Sequence, residues 1–178
     1  MSNRPPSPYE FLPAAAAIEV SSTDISEGQT LPMAQVSGIF GAGGEDISPQ
    51  LTWSGAPSET KSFVVTGFDP DAPTGSGFWH WVVYDIPAGV SELAAGAGAQ
   101  DGSGLPAGAK QLKNDAGLPG YLGAAPPAGH GPHRYMFAVH ALSVEALPIT
   151  EDLSAAICGF NMFGTTLARG VLSAVYEQ

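Results

Sequence analysis

The stretch 69-DPDAPTGSGFWHWVVYDIP-87 sets Asp69, Asp71 and His80 against two tryptophans at the mouth of an apolar run. From Phe78 to Ile86 the residues are aromatic or aliphatic on both faces of a period-two pattern, interrupted by His80 and Asp85. A half-buried strand alternates apolar with polar residues, whereas a strand covered on both faces does not. The run therefore predicts a central strand of a layered β fold. At strict period two, Phe78, His80, Val82 and Tyr84 share one face, and Trp79, Trp81 and Val83 share the other.

The rest of the chain extends this reading. Twenty-three glycines and sixteen prolines break it into short apolar runs, as in a β-sandwich. Strands are expected at Ile18–Ser21, Leu51–Trp53, Ser62–Phe68, Trp79–Asp85 and Tyr135–Leu142. Residues 88–132, rich in Gly, Ala and Pro, read as long connections within one domain spanning residues 1–178. Residues 1–17 read as a loosely ordered arm. Near the C-terminus Thr150 is the expected N-cap of a helix whose apolar stripe is Leu153, Ile157, Phe160, Phe163 and Leu167. The segment 171-VLSAVYEQ-178 reads as a final short strand.

Composition excludes several classes. Six basic residues against seventeen acidic ones give a formal charge of −11, with no basic cluster for nucleic acid or an anionic membrane surface. No apolar run reaches the roughly 20 residues of a membrane span. The N-terminus lacks a secretory pattern, and Cys158 has no second cysteine to pair with. A cytoplasmic location is expected.

A second segment, 126-PPAGHGPHRYMFAVHAL-142, repeats the pattern of polar groups entering a strand. His133, Tyr135, Phe137 and Val139 share one face; Arg134, Met136, Ala138 and His140 share the other. His140 reads as a core histidine bonded to a backbone carbonyl. If the strands end together, Asp69, His80, His133 and Tyr135 meet in one cavity. Three chemistries use residues of these types. A zinc site from Asp69, His80, His130 and His133 lacks a firm ligand spacing. A hydrolase lacks a nucleophile, since there is no G-x-S-x-G elbow and Cys158 lies in an apolar stretch. Anion recognition suits the imidazoles, the Tyr135 hydroxyl and the backbone N–H groups of the glycine-rich turn.

The segments DPDAPTGSGFWHW and PPAGHGPHRY resemble the two signatures of the phosphatidylethanolamine-binding protein family, also called Raf kinase inhibitor-like proteins. EDISPQLTWSGAP and GYLGAAPP resemble the segments that precede them, in the family's order. The form FWHWVVYDIP looks like the bacterial branch. The resemblance implies a Greek-key β-sandwich of two antiparallel sheets with a few short helices, and a small anion pocket at one end. It implies Asp69, Pro73, His80, Pro127, His133 and Tyr135 as ligand-binding residues. His80, His133 and Tyr135 would donate, Asp69 would orient, and the two prolines would form walls. Phe78, Trp79 or Trp81 would supply an apolar floor. Asp71 and Arg134 would form a supporting ion pair, Trp79 would lend further structural support, and the Ala72–Pro73 bond would be cis. Eukaryotic members carry a C-terminal helix that gates the pocket; this chain ends soon after the last strand, and Ala125 stands where glycine or cysteine is frequent.

The expected protein is thus a non-enzymatic binder of phosphate-, phosphoethanolamine- or carboxylate-bearing ligands, including phospholipid headgroups. It would use no cofactor or metal and form a homodimer. An inhibitor of a protein kinase or serine protease, acting through the pocket rim, is the first alternative. A hydrolase using the Asp–His pair is the second.

Overall fold

The computed structural model describes residues 4–178. It contains nine strands: β1 (Ala16–Ala17), β2 (Glu19–Ser21), β3 (Leu51–Ser54), β4 (Ser62–Asp69), β5 (Phe78–Pro87), β6 (Glu92–Leu93), β7 (Lys110–Gln111), β8 (His133–Leu142) and β9 (Thr166–Tyr176). One α-helix, α1 (Ala155–Met162), and two single 3-10 turns accompany them. Six strands form a sheet in the order β1-β9-β8-β4-β5-β7, and three form a second, β2-β3-β6. The expected mainly β, two-sheet architecture holds, with one departure. The edge pair β1 and β9 is parallel, while the other paired strands are antiparallel.

The doubly apolar runs are explained by a large sheet covered on both faces. Between the sheets, Leu51 and Trp53 meet Phe63, Val65, Trp81, Val83, Phe137 and Val139. On the outer face Val64, Val82, Tyr84 and Leu142 are roofed by Leu147, Ile149, Ala155, Cys158 and Met162. Every residue of β4 is buried. At roughly 1.5–3 kcal/mol per fully buried large apolar side chain, these two layers are the main source of stability.

Strict alternation fails in β5 at two places. Gly67 pairs with Trp81 and Phe68 with Trp79, so His80 is an inserted residue. Such a bulge reverses the faces of the residues that flank it. Trp79 therefore packs on the outer cluster and against the Phe68 ring at 4.3 Å, while Trp81 lies in the inter-sheet core. The expectation that the two tryptophans share a face, and that Val82 and Tyr84 lie with His80, is corrected by this one residue. The second irregularity centres on Asp85, whose φ of 56° is left-handed. Its carboxylate accepts from the Leu147 backbone N–H at 2.8 Å and so ties the outer roof to the sheet.

The ends of the chain also differ from expectation. The N-terminal arm is tied down over its described part. Residues 8–10 form a 3-10 turn, and Ala16 and Ala17 pair with Ala168 and Arg169 of β9. Residues 1–3 lie outside the described residues. Helix α1 is capped by Ser154, which accepts from the Ile157 N–H, and not by Thr150, whose hydroxyl bonds Asp152. Its buried face is Ala155, Cys158 and Met162, so Phe160 and Phe163 of the expected stripe stand in solvent, 76% and 72% exposed. Small residues fit closely under the helix, where the bulkier stripe does not. The last strand has 11 residues, longer than expected, because its inward positions are the small Ala168, Gly170 and Ala174 with Leu172. A Cβ on Gly170 would lie 2.4 Å from the Ile18 carbonyl oxygen, so the chain leaving β1 passes close over β9 only because that side chain is missing. The Ala72–Pro73 bond, expected cis, is trans.

The turn from β4 to β5 depends on Gly77. Its φ is +72°, and a Cβ there would lie 2.3 Å from the Phe68 ring. Gly77→Ala should lower unfolding stability in urea by more than Gly75→Ala. Gly75 shares the left-handed φ of +76° but has open space around it. The Gly75 change should cost about 1–2 kcal/mol, the intrinsic left-handed penalty.

Burial holds the His140 pKa down from 6.5 to about 3, with the Arg169 charge adding to the effect. The folded ring stays neutral while the unfolded one protonates, so its contribution is present above pH 6.5 and lost as pH falls. Relative to a His140→Gln variant, the protein should lose about 1.4 kcal/mol of unfolding free energy per pH unit below that point. Chemical denaturation between pH 7 and pH 5 measures it.

Candidate functional site

Antiparallel pairing brings the end of β4 beside the starts of β5 and β8: Asp69 pairs with Phe78, and Phe68 with Met136. At this edge of the inter-sheet layer lies a cavity of about 210 Å³. Asp69, Pro73, His80, Pro127, His133 and Tyr135 all line it. Phe78, Leu122, Ala125 and Phe40 complete much of the wall. The floor includes Phe78 but neither tryptophan, because the His80 bulge turns Trp79 outward and Trp81 inward to the core.

The buried polar groups form two sets. In the first, Asp69 Oδ2 and His133 Nδ1 are 2.7 Å apart, and both side chains are almost fully buried. The carboxylate accepts, so the hydrogen sits on Nδ1. The second Asp69 oxygen accepts from the Asp71 N–H at 2.8 Å. His133 Nε2 is then 2.7 Å from Nδ1 of the exposed His130. His133, expected to donate to a ligand, thus has both nitrogens engaged, and a ligand reaches Nε2 only by displacing His130. His130 is the site residue that sequence reasoning assigned to no role beyond the rejected zinc set. Its glycine-flanked position in AGHGP gives no strand parity from which to place it.

In the second set, His80 Nδ1 is 2.8 Å from the Leu122 carbonyl oxygen. That carbonyl can only accept, so Nδ1 carries the hydrogen and Nε2 of the neutral ring holds a lone pair. Burial pushes the His80 pKa below its ordinary value, against the raising effects of the Leu122 carbonyl and the Asp69 and Asp115 charges. The Tyr135 ring meets His80 edge-on at 5.2 Å, and its buried hydroxyl has no hydrogen-bond partner. Burial, with Asp69 nearby, pushes that phenol well above its usual pKa, so it remains a donor.

The wall opposite the strands is the segment 122–127. Gly123 donates to Asp46 Oδ1 at 2.7 Å, and a Cβ on Gly123 would overlap the Val36 backbone at 2.3 Å. Nothing in the sequence pattern announces this long-range seat. Behind the cavity, Asp71 accepts from Arg134 Nε at 2.8 Å and Nη2 at 2.7 Å, and from the Arg134 backbone N–H at 2.8 Å. These bonds and the guanidinium charge outweigh burial and hold the Asp71 carboxyl below its ordinary pKa. Trp79, expected as support, braces the outer face instead. Its backbone N–H donates to Asp115 Oδ2 at 2.8 Å. Among the described residues no group of three or more His, Cys, Asp or Glu is arranged to hold a metal ion. No helix there is long and apolar enough to cross a membrane.

Comparison with known proteins agrees with this architecture. The family model for phosphatidylethanolamine-binding protein matches residues 21–177. The UPF0098 protein YbcL of Escherichia coli is 47% identical over 167 residues, covering 94% of this chain and 91% of that protein. YbhB of the same organism is 46% identical over 163 residues, covering 90% of this chain and all of YbhB. The crystal structure of YbcL superposes with a TM-score of 0.89, covering 92% of this chain and 99% of that one. A family homologue from Chlamydia trachomatis, CT736, superposes at 0.76 with 32% identity, over 92% of this chain and 99% of that one. With fold, signature segments and relatives in agreement, the chain is a bacterial-type member of the phosphatidylethanolamine-binding protein family.

Proposed function

We propose that this chain is a non-enzymatic binding protein whose 210 Å³ cavity takes the oxyanion of a small phosphate- or carboxylate-bearing ligand, such as a phosphoethanolamine headgroup. The observation that carries the reading is the Tyr135 hydroxyl, buried without a partner at the cavity wall. A buried polar group without a partner costs about 1–3 kcal/mol, and an incoming oxygen would remove that cost. His80 Nε2 supplies the second contact. It accepts from an acidic P–OH, or takes a proton and donates to a fully ionised oxygen. The surrounding apolar wall strengthens both bonds. A hydrolytic reading finds no partner for the Asp69–His133–His130 chain. Cys158 lies in the outer cluster with its thiol pushed up to about 12, and the Thr74 hydroxyl already donates to the Gly77 carbonyl.

One observation favours protein recognition at the same opening. Phe40 is 56% exposed and lines the cavity, and its neighbour Ile39 is equally exposed. An inhibitory partner would bury them. Phe40→Ser would then lose inhibition of that partner while phosphate binding survives.

Titration of the full chain with inorganic phosphate and O-phosphoethanolamine, followed by NMR of the His80 ring, tests the pocket. Tyr135→Phe should weaken binding by about 1–2 kcal/mol, and His80→Ala should abolish it. Absence of a His80 response at millimolar ligand would overturn the proposal. The pH dependence has a fixed sign. His80 begins with a lowered pKa, and an adjacent anion raises it, so binding takes up a proton. Affinity for sulfate, which does not itself titrate near neutrality, should fall as pH rises, by no more than about tenfold per unit. Calorimetry in buffers of different ionisation enthalpy reads the proton uptake directly.

A further inference from the structure

A second, larger cavity lies on the opposite face of the six-stranded sheet. It encloses about 470 Å³ between that face, helix α1 and the N-terminal segment. The volume falls in the roughly 300–1,000 Å³ range of sites for small organic molecules. Its walls are mainly apolar, with Leu12, Met162 and Phe163 among them, and no aspartate or glutamate lines it. Leu12 and Phe163 remain 44% and 72% exposed at its rim.

One cation faces this space. Arg169 sits on β9 opposite His140 and donates from Nε to His140 Nδ1 at 3.3 Å. Its guanidinium carbon stands 6.0 Å from the centre of the Tyr9 ring. The ion pairs among the described residues engage Lys110, His133 and Arg134, and Arg169 is in none of them. His140 is neutral near pH 7, so among the described residues the positive charge in the cavity belongs to Arg169. In a chain with seventeen acidic and six basic residues, a half-buried arginine without a carboxylate is an unmet charge beside an apolar space. A guanidinium edge matches a planar carboxylate, and a single positive charge matches a monoanion.

The geometry points to a second binding site in this cavity, for a single-chain aliphatic carboxylate. Its headgroup pairs with Arg169, and its tail lies against Leu12, Met162 and Phe163. The site is separate from the first cavity: of the β8 residues, His140 lines this one, and His133 and Tyr135 line the first. The N-terminal segment forms its cover, held at Tyr9 by a contact to Thr66 and at Ala16–Ala17 by pairing with β9.

The test is calorimetric titration of the full chain with sodium decanoate below its micellar concentration. Decanol and acetate are the tail-only and head-only controls. Saturable decanoate binding is expected, with decanol and acetate each weaker by about tenfold or more. Arg169→Gln should weaken decanoate by a similar factor and leave decanol unchanged. Gly159→Leu supplies a second variant that keeps the charge. Gly159 lines the cavity with open space where its Cβ would be, so leucine should obstruct the tail and weaken decanoate and decanol alike. In a His80→Ala background, which removes any carboxylate binding in the first cavity, saturable decanoate binding should persist. No saturable binding, equal affinity for decanoate and decanol, or loss of binding in His80→Ala with retention in Arg169→Gln would each overturn the assignment.

Discussion

Everything in this molecule depends on β4 being buried on both faces and paired on both edges. A strand so placed exposes neither side chains nor ladder groups to water along its length. Polar chemistry is therefore pushed to where the sheet stops. At one end Asp69 closes β4, and the neighbouring strands begin there with Phe78 and His133. The first cavity lies at that edge, between these strand ends and the segment 122–127. The second lies beside His140, where helix α1 and the N-terminal segment meet the outer face of the sheet.

The same edge explains the two aspartates. Asp69 binds His133 on the inner side of β8, and Asp71 binds Arg134 on the outer side. Successive residues of one strand are thus clasped by two carboxylates of one turn. Removing one partner of a buried pair costs more than the pair contributes, because the remaining charge stays desolvated. The clamp therefore specifies register: a slip of β8 by one residue would set either Arg134 against Asp69 within the core with Tyr135 at Asp71, or Pro132 against Asp69 with His133 at Asp71. Gly77 and the His80 bulge complete the turn, the first by its missing side chain and the second by its extra residue.

Those two features mark the limit of what the sequence discloses. The doubly apolar runs, the strand positions and the meeting of Asp69, His80, His133 and Tyr135 at one edge follow from residue type and period. The tryptophan faces do not, because a bulge is a property of two strands and the sequence of β5 alone still alternates plausibly. Bulk marks Phe160 and Phe163 for the buried face of α1, whereas the helix turns Ala155, Cys158 and Met162 inward. Strand β9 is longer than its pattern suggests for the same reason: Ala168 and Gly170 carry little hydrophobic signal, yet Gly170 leaves room for the close approach of Ile18. The seat of residues 122–127 on Asp46 and Val36 spans a sequence distance that no local pattern reports.

The two cavities also differ in how they treat charge. The chain carries −11 overall, but charges beyond about 8 Å are largely screened at physiological ionic strength, so near neighbours decide what each cavity attracts. In the first, the carboxylates are already engaged, and His80 is held neutral by burial. A permanent cation buried there would carry a desolvation cost while the cavity was empty. An imidazole that charges only beside an anion avoids that cost, and under the reading proposed here it makes occupancy responsive to pH. In the second, Arg169 remains charged throughout the neutral range and is only half buried, so solvent and the Tyr9 ring offset its desolvation. A fixed cation gives a site little dependence on pH near neutrality. Under the two proposals, one sheet separates a titrating recognition group from a permanent one, and the difference follows from how deeply each side chain is buried.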